Sequence, residues 1–141
     1  MTLSIALKVR DALQKLGYQV VMTRSVDKFL ELSEITAITN RVKPDAFVSV
    51  HINSSTNPSI HGIETYFFTP QSRALADAVH KQMVSKINAP DRYVRSARFY
   101  VVRHTDVPAI LCETGYISNS AERAELLSES RQQASADAIA R

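Results

Sequence analysis

With a single cysteine, Cys112, the 141-residue chain can form no internal disulfide and no cysteine-built zinc knuckle. Long apolar runs are also missing: nothing approaches the roughly 18 residues of a membrane-spanning helix. Charge of one sign is scarce. Seventeen Lys and Arg against 14 Asp and Glu leave a formal net charge of +3, and the cations are scattered. That balance argues against a nucleic-acid surface and leaves only a mild attraction to polyanions. The apolar patch in "MTLSIALKVRDALQKLGYQV" has no basic region before it and no small-residue cleavage site after it. It reads as a helix, with no export signal. No internal repeat, linker or low-complexity stretch divides the chain, so one domain over residues 1–141 is expected.

What is present is ordinary globular material, 45% hydrophobic and 22% charged, with helical and extended patterns in alternation. Leu3, Ala6, Leu7, Leu13 and Leu16 recur at helical spacing and Gly17 offers a stop. "YQVVMT" (18–23) reads as a short strand, and 28–42 as a second helix ending before Pro44. "AFVSVHI" (46–52) is apolar almost throughout, which suits a buried strand. Residues 54–62 carry turn chemistry, and 62–68 alternate Ile63, Thr65 and Phe67 against Glu64, Tyr66 and Phe68. A helix is expected over 71–88, with Leu75, Val79, Met83 and Ile87 on one stripe. Beyond it come a basic stretch and a short strand near Phe99 to Val102. A buried strand over 107–116 follows, then a helix over 118–130 capped by Asn119 or Ser120 with acidic residues in its first turn. The tail reads as a final helix. The pattern predicts an α/β fold, with three α/β/α layers around a mostly parallel sheet.

In such folds ligands sit beyond the carboxyl ends of the strands. Two residues occupy that place: His51, closing "FVSVH", and Glu113, closing "PAILCE". A carboxylate directly after a buried run is costly unless it faces a cleft, where desolvation raises its pKa toward that of a general base. A neutral imidazole at a neighbouring strand end is a natural metal ligand. The pair fits metal-assisted hydrolysis. It fits equally a hydrogen-bonded strand-end histidine and a capping or salt-bridged glutamate. Cys112, inside the apolar run, reads as a core residue.

The ordered segments "GYQVVMTRSVD", "DAFVSVHINSS", "GIETYFF" and "DRYVRSARFYVVRHTDVPAILCETGYISNSAERAELL" resemble the zinc-dependent N-acetylmuramoyl-L-alanine amidases of the amidase_3 type. The resemblance runs from about Leu3 to the end of the chain. It implies a three-layer α/β/α domain and one catalytic zinc. It also implies a peptidoglycan substrate, cut at the amide between the lactyl group of N-acetylmuramic acid and L-alanine. By motif, His51 matches the family's zinc histidine and Glu113 its catalytic glutamate. The family's other two ligands, the histidine of an Asp-Pro-Gly-His-Gly-Gly strand and a glutamate before the first helix, have no counterpart here. The chain begins at Met1 inside that helix, so it reads as N-terminally incomplete.

Asn53 and Arg103 are the expected substrate contacts, with Arg92 and Arg95 as further partners for stem-peptide carboxylates. Glu64, if it faces inward, would orient His51 through the ring's second nitrogen. His61 or His104 would have to swing in to serve as a substitute ligand, and His80 reads as an exposed mid-helix residue. The substrate implies a periplasmic or extracellular cell-wall location. A sheet edge left unpaired implies self-association through that edge. The alternative reading is a catalytically inactive amidase-like domain that binds cell wall or a protein partner.

Overall fold

The computed structural model describes all 141 residues. Helix α1 (Thr2–Lys15) leads to α2 (Leu32–Val42), then strand β1 (Phe47–Asn53) and strand β2 (Ile63–Phe67). After a 3-10 turn come α3 (Arg73–Lys86), β3 (Asp91–Ser96), the single-turn α4 (Tyr100–Arg103), β4 (Ala109–Tyr116), α5 (Ser120–Leu126) and α6 (Glu129–Ile139). The four strands lie in the order β1-β4-β2-β3. β1 and β4 are parallel, β2 and β3 are parallel, and the central β2–β4 pair is antiparallel. This is the expected α/β/α fold with a mostly parallel sheet.

Strand alternation divides the core into two layers. Val48, Val50, Ile63, Phe67, Ile110 and Cys112 point to one face and pack with Ile5, Val9, Ala76, Val79, Met83 and Ile139 from α1, α3 and α6. Phe47, Tyr66, Phe68, Ala109 and Leu111 point to the other and pack with Val101 and Val102 of α4 and Ile35 of α2. Cys112 is a core residue as expected, 0% exposed, with its thiol pushed up to about 12 chiefly by burial.

Helix ends follow local chemistry. The Glu31 N–H donates to the Glu34 carboxylate at the start of α2 (2.7 Å), and Lys43 ends that helix in the left-handed region just before Pro44. Asn119 caps α5 by accepting from the Glu122 N–H (2.9 Å), and Ser128 caps α6 in the same way through the Arg131 N–H.

Three expectations need correction. Residues 18–23 form no strand: β1 pairs only with β4, no ladder takes this stretch, and β-propensity without a partner does not make a strand. The basic stretch is itself the strand, β3, at the sheet's edge where charged side chains stay solvated. The residues expected as a strand near Phe99 to Val102 form α4 instead, which seats Val101 and Val102 in the core and ends where Thr105 Oγ1 donates to the Val101 carbonyl (2.6 Å).

Candidate functional site

Register brings the candidate residues together. His51 is level with Glu113 across the parallel β1–β4 pair, and Glu113 is level with Glu64 across the antiparallel β4–β2 pair. All three continue the rows that start at Ser49, Leu111 and Tyr66, so they share the face covered by α2 and α4 at its other end.

Glu113 is 7% exposed, and its Oε2 is buried with no hydrogen-bond partner. Burial, with the Glu64 charge second, pushes its carboxyl up to about 7. Such a group can take and return a proton near neutrality. His51 is half-buried, and one ring nitrogen, Nε2, lies 3.0 Å from Ser49 Oγ. Burial lowers its pKa, which favours the neutral imidazole that metals bind.

Glu64 is 3% exposed and is the hub of the site. Its Oε2 accepts from Asn53 Nδ2 (2.9 Å) and Tyr116 Oη (2.6 Å), while Oε1 lies 3.6 Å from Arg92 Nε and 3.5 Å from Arg95 Nε. Burial and the Glu64 carboxylate together raise the Tyr116 phenol to about 12, and Arg92 opposes them. Glu64 therefore faces inward as one expectation held, but its bonds go to Asn53 and Tyr116 and none to the His51 ring. Asn53 is correspondingly engaged: its amide nitrogen serves Glu64, and its oxygen accepts from the Ser54 N–H (2.8 Å).

Arg103 stands on α4, whose Val101 and Val102 pack with Ala109 and Leu111 toward the start of β4. No hydrogen bond or ion pair joins it to Glu113, which lies further along the same strand. The remaining histidines stand apart too. His61 Nδ1 bonds the Ser59 carbonyl (3.0 Å), and His104 lies against the Tyr100 ring (4.3 Å). His80 is 6% exposed, contrary to the expectation of a surface residue. Its Nδ1 is 3.0 Å from Thr65 Oγ1 and its Nε2 2.8 Å from Asp91 Oδ1, so it ties α3 to β2 and β3. The hydrogen bond with His80 is the main reason the Asp91 carboxyl sits below its ordinary value.

Behind the site lies a residue that sequence reasoning missed. Glu122, buried in the first turn of α5, accepts from the Tyr116 N–H (2.7 Å) and, through both oxygens, from the Gly62 N–H (3.2 and 3.0 Å). Gly62 has φ +120, and a Cβ there would meet the Pro90 carbonyl at 2.4 Å, so only glycine fits. Glu122 thus fixes both the start of β2, which presents Glu64, and the end of β4, which presents Glu113. The sole sequence signal was an acidic residue three positions after the cap, which reads equally well as a surface charge on the helix dipole.

A metal implied by the resemblance can be tested against these donors. His51 supplies one suitable imidazole, and Glu113 an unpartnered oxygen. No three His, Cys, Asp or Glu residues lie together closely enough to hold an ion. The residues of this chain do not by themselves make the three-ligand centre of a catalytic zinc.

Comparison with known proteins adds independent findings. The family profile of Amidase_3, N-acetylmuramoyl-L-alanine amidase, matches residues 1–141. YqiI of Bacillus subtilis, an uncharacterised protein, is 40% identical over 141 residues, which is 97% of this chain and 68% of YqiI. LytH of Staphylococcus epidermidis, named a probable cell wall amidase, is 32% identical over 138 residues; the match covers 98% of this chain and 46% of LytH, so the chain spans under half of that relative. Among solved structures, the catalytic domain of CwlV, an N-acetylmuramoyl-L-alanine amidase from Bacillus (Paenibacillus) polymyxa var. colistinus, superposes with a TM-score of 0.95 at 40% identity, covering 98% of this chain and 78% of that one.

Proposed function

We infer the function of this domain from one premise: the chain belongs to the Amidase_3 family of N-acetylmuramoyl-L-alanine amidases. Family and amidase-named relatives support a peptidoglycan hydrolase acting at the cell wall. The bond we assign is the amide between the lactyl group of N-acetylmuramic acid and L-alanine, and the proposed location is periplasmic or extracellular wall. The observation that carries the reading is Glu113: a buried carboxylate with an unpartnered oxygen, level with His51 on the neighbouring strand, inside a chain that matches the family throughout.

Glu113 is the assigned proton carrier. As a carboxylate it takes a proton from the attacking water, and as the acid it returns one to the departing alanine amine. Glu64 lies level with it, holds Tyr116 and Asn53 in place, and keeps a second negative charge nearby that favours the protonated form of Glu113. Zinc is the proposed cofactor; His51 would be this chain's donor to it, and the ion, once held by further ligands, would supply Lewis acidity.

Two measurements on one preparation test these assignments. Purified peptidoglycan should yield new L-alanine amino termini, and the zinc affinity found by titration should fall on His51→Ala. Zinc affinity unchanged by His51→Ala removes the ligand assignment. Wall binding without released amino termini would favour the second reading, an inactive amidase-like domain that binds wall; the absence of a three-donor cluster is the observation behind it.

β1 also has a free edge, since β4 is its only neighbour, and all seven of its residues are half-buried. Unpaired N–H and C=O groups on an apolar strand favour pairing with another strand. We propose self-association through this edge. Light scattering at tens of micromolar should show dimers, and a sharp monomer over that range would remove the proposal.

A further inference from the structure

We propose that Arg92 and Arg95, braced by Glu64, form a subsite beside Glu113 that binds a free carboxylate on the peptide portion of the substrate. This rests on the amidase reading and extends it to what the site selects.

The observation that carries the proposal is an irregularity in β3. In a regular strand, residues three apart point to opposite faces. Here Ile63 is level with Asp91 and Thr65 with Val94, so two residues of β3, Arg92 and Tyr93, stand opposite Glu64 alone. Tyr93 takes up the extra residue at φ 74, in the left-handed region that a bulky side chain adopts only at a cost of order 1–3 kcal/mol. The Tyr93 N–H donates to Asp91 Oδ1 (2.8 Å), which holds the bulge. The consequence is that Arg92 and Arg95 reach the same carboxylate. Bulges of this kind re-aim side chains.

What converges there is unbalanced. Two guanidiniums meet one carboxylate, and the acidic residue on the same strand, Asp91, is already bonded to His80 and the Tyr93 N–H. Each arginine approaches Glu64 most closely through Nε, at 3.6 and 3.5 Å, longer than the roughly 2.7–2.9 Å of a charge-assisted bond. Neither spends its two-pronged edge on Glu64. Arg92 Nε is buried without a hydrogen bond, and the guanidinium lies over the Tyr116 ring at 5.6 Å. Arg95 Nε donates to the Arg92 carbonyl (3.1 Å), and its side chain is 50% exposed. Two oriented guanidiniums, held from behind and open in front, are preorganised for a planar anion.

The test uses the Glu113→Gln protein, in which ligand is not consumed. It is titrated with N-acetylmuramyl-L-alanyl-D-glutamate and with the same compound amidated at both glutamate carboxylates. The carboxylate form should bind about tenfold tighter, in line with a charge-assisted pair. Arg95→Gln and Arg92→Gln should remove that preference while keeping the affinity for the amidated compound; a merely unfolding variant would lose both. Equal affinity for the two compounds overturns the subsite, and so does a preference that survives in the Arg92→Gln/Arg95→Gln double variant. Binding of neither compound overturns it too. The amidase reading is decided separately, by release of alanine amino termini from whole peptidoglycan with Glu113 intact.

Discussion

Replacing Glu113 with glutamine is expected to lower peptidoglycan hydrolysis by about 10³-fold, the scale of a lost general acid–base, while leaving the fold intact. Glutamine keeps the shape and removes the ionisable oxygen. The pH dependence follows from the same burial. With its carboxyl raised to about 7, the active base is scarce below neutrality, so the rate should climb through pH 7 and the variant should lose that limb. Stability moves the other way. The folded state holds the Glu113 proton more tightly than the unfolded chain, whose carboxyl titrates near 4.5. The contribution is therefore fully present below pH 4.5 and is lost as pH rises toward 7. At about 1.4 kcal/mol per pKa unit, the loss is on the order of 3–4 kcal/mol. Metal-free protein should show a falling Tm across that window, and Glu113→Gln should be flatter over it. Parallel curves for the two proteins would place the cost of burial elsewhere.

The reason this residue could be read from sequence, and its neighbours could not, is geometric. "AILCE" and "FVSVH" are apolar enough to mark strands, and the ionisable residue ending each run stands out, although β4 continues to Tyr116 and β1, half-buried throughout, to Asn53. Which strands touch is set by tertiary packing. That β2 runs antiparallel between β4 and β3 is invisible in the alternation of "GIETYFF", so nothing placed Glu64 level with Glu113. Gly115 is so close to Glu122 that a Cβ would sit 2.9 Å from its carboxyl carbon, so glycine there leaves room for Glu122 to hold the Tyr116 N–H. His80 reads as a surface residue because its partners, Thr65 and Asp91, come from two strands that α3 happens to cross. Residues 18–23 fail in the opposite direction: the local propensity is real, but a strand is a property of a pair.

Glu122→Ala is expected to be the most destabilising single change near the site, by about 3–5 kcal/mol, because it breaks a buried ion pair from one side. Glu122 is 4% exposed, and its Oε1 lies 3.4 Å from Arg131 Nη2. Without it, the guanidinium keeps the Thr114 carbonyl (3.1 Å) and the exposed Glu125 (3.0 Å), but loses its buried counter-charge. The Gly62 and Tyr116 N–H groups would also lose their acceptor, at about 1–3 kcal/mol for each buried group left unpaired. Glu122→Gln retains an acceptor oxygen and should cost less. Glu122→Ala combined with Arg131→Met should recover part of the loss, since no lone charge is then buried. Urea unfolding of the two single variants and the double variant measures the coupling, and additive losses would show that Glu122 and Arg131 do not act as a pair. The functional consequence separates this residue from Glu113. Glu122 touches no substrate, yet it holds the first residue before β2 and the last of β4. Its variants should therefore lose activity only as those strand ends loosen, in step with stability and with no change in the midpoint of the pH profile. Glu113→Gln should do the reverse, losing the reaction while the protein stays folded.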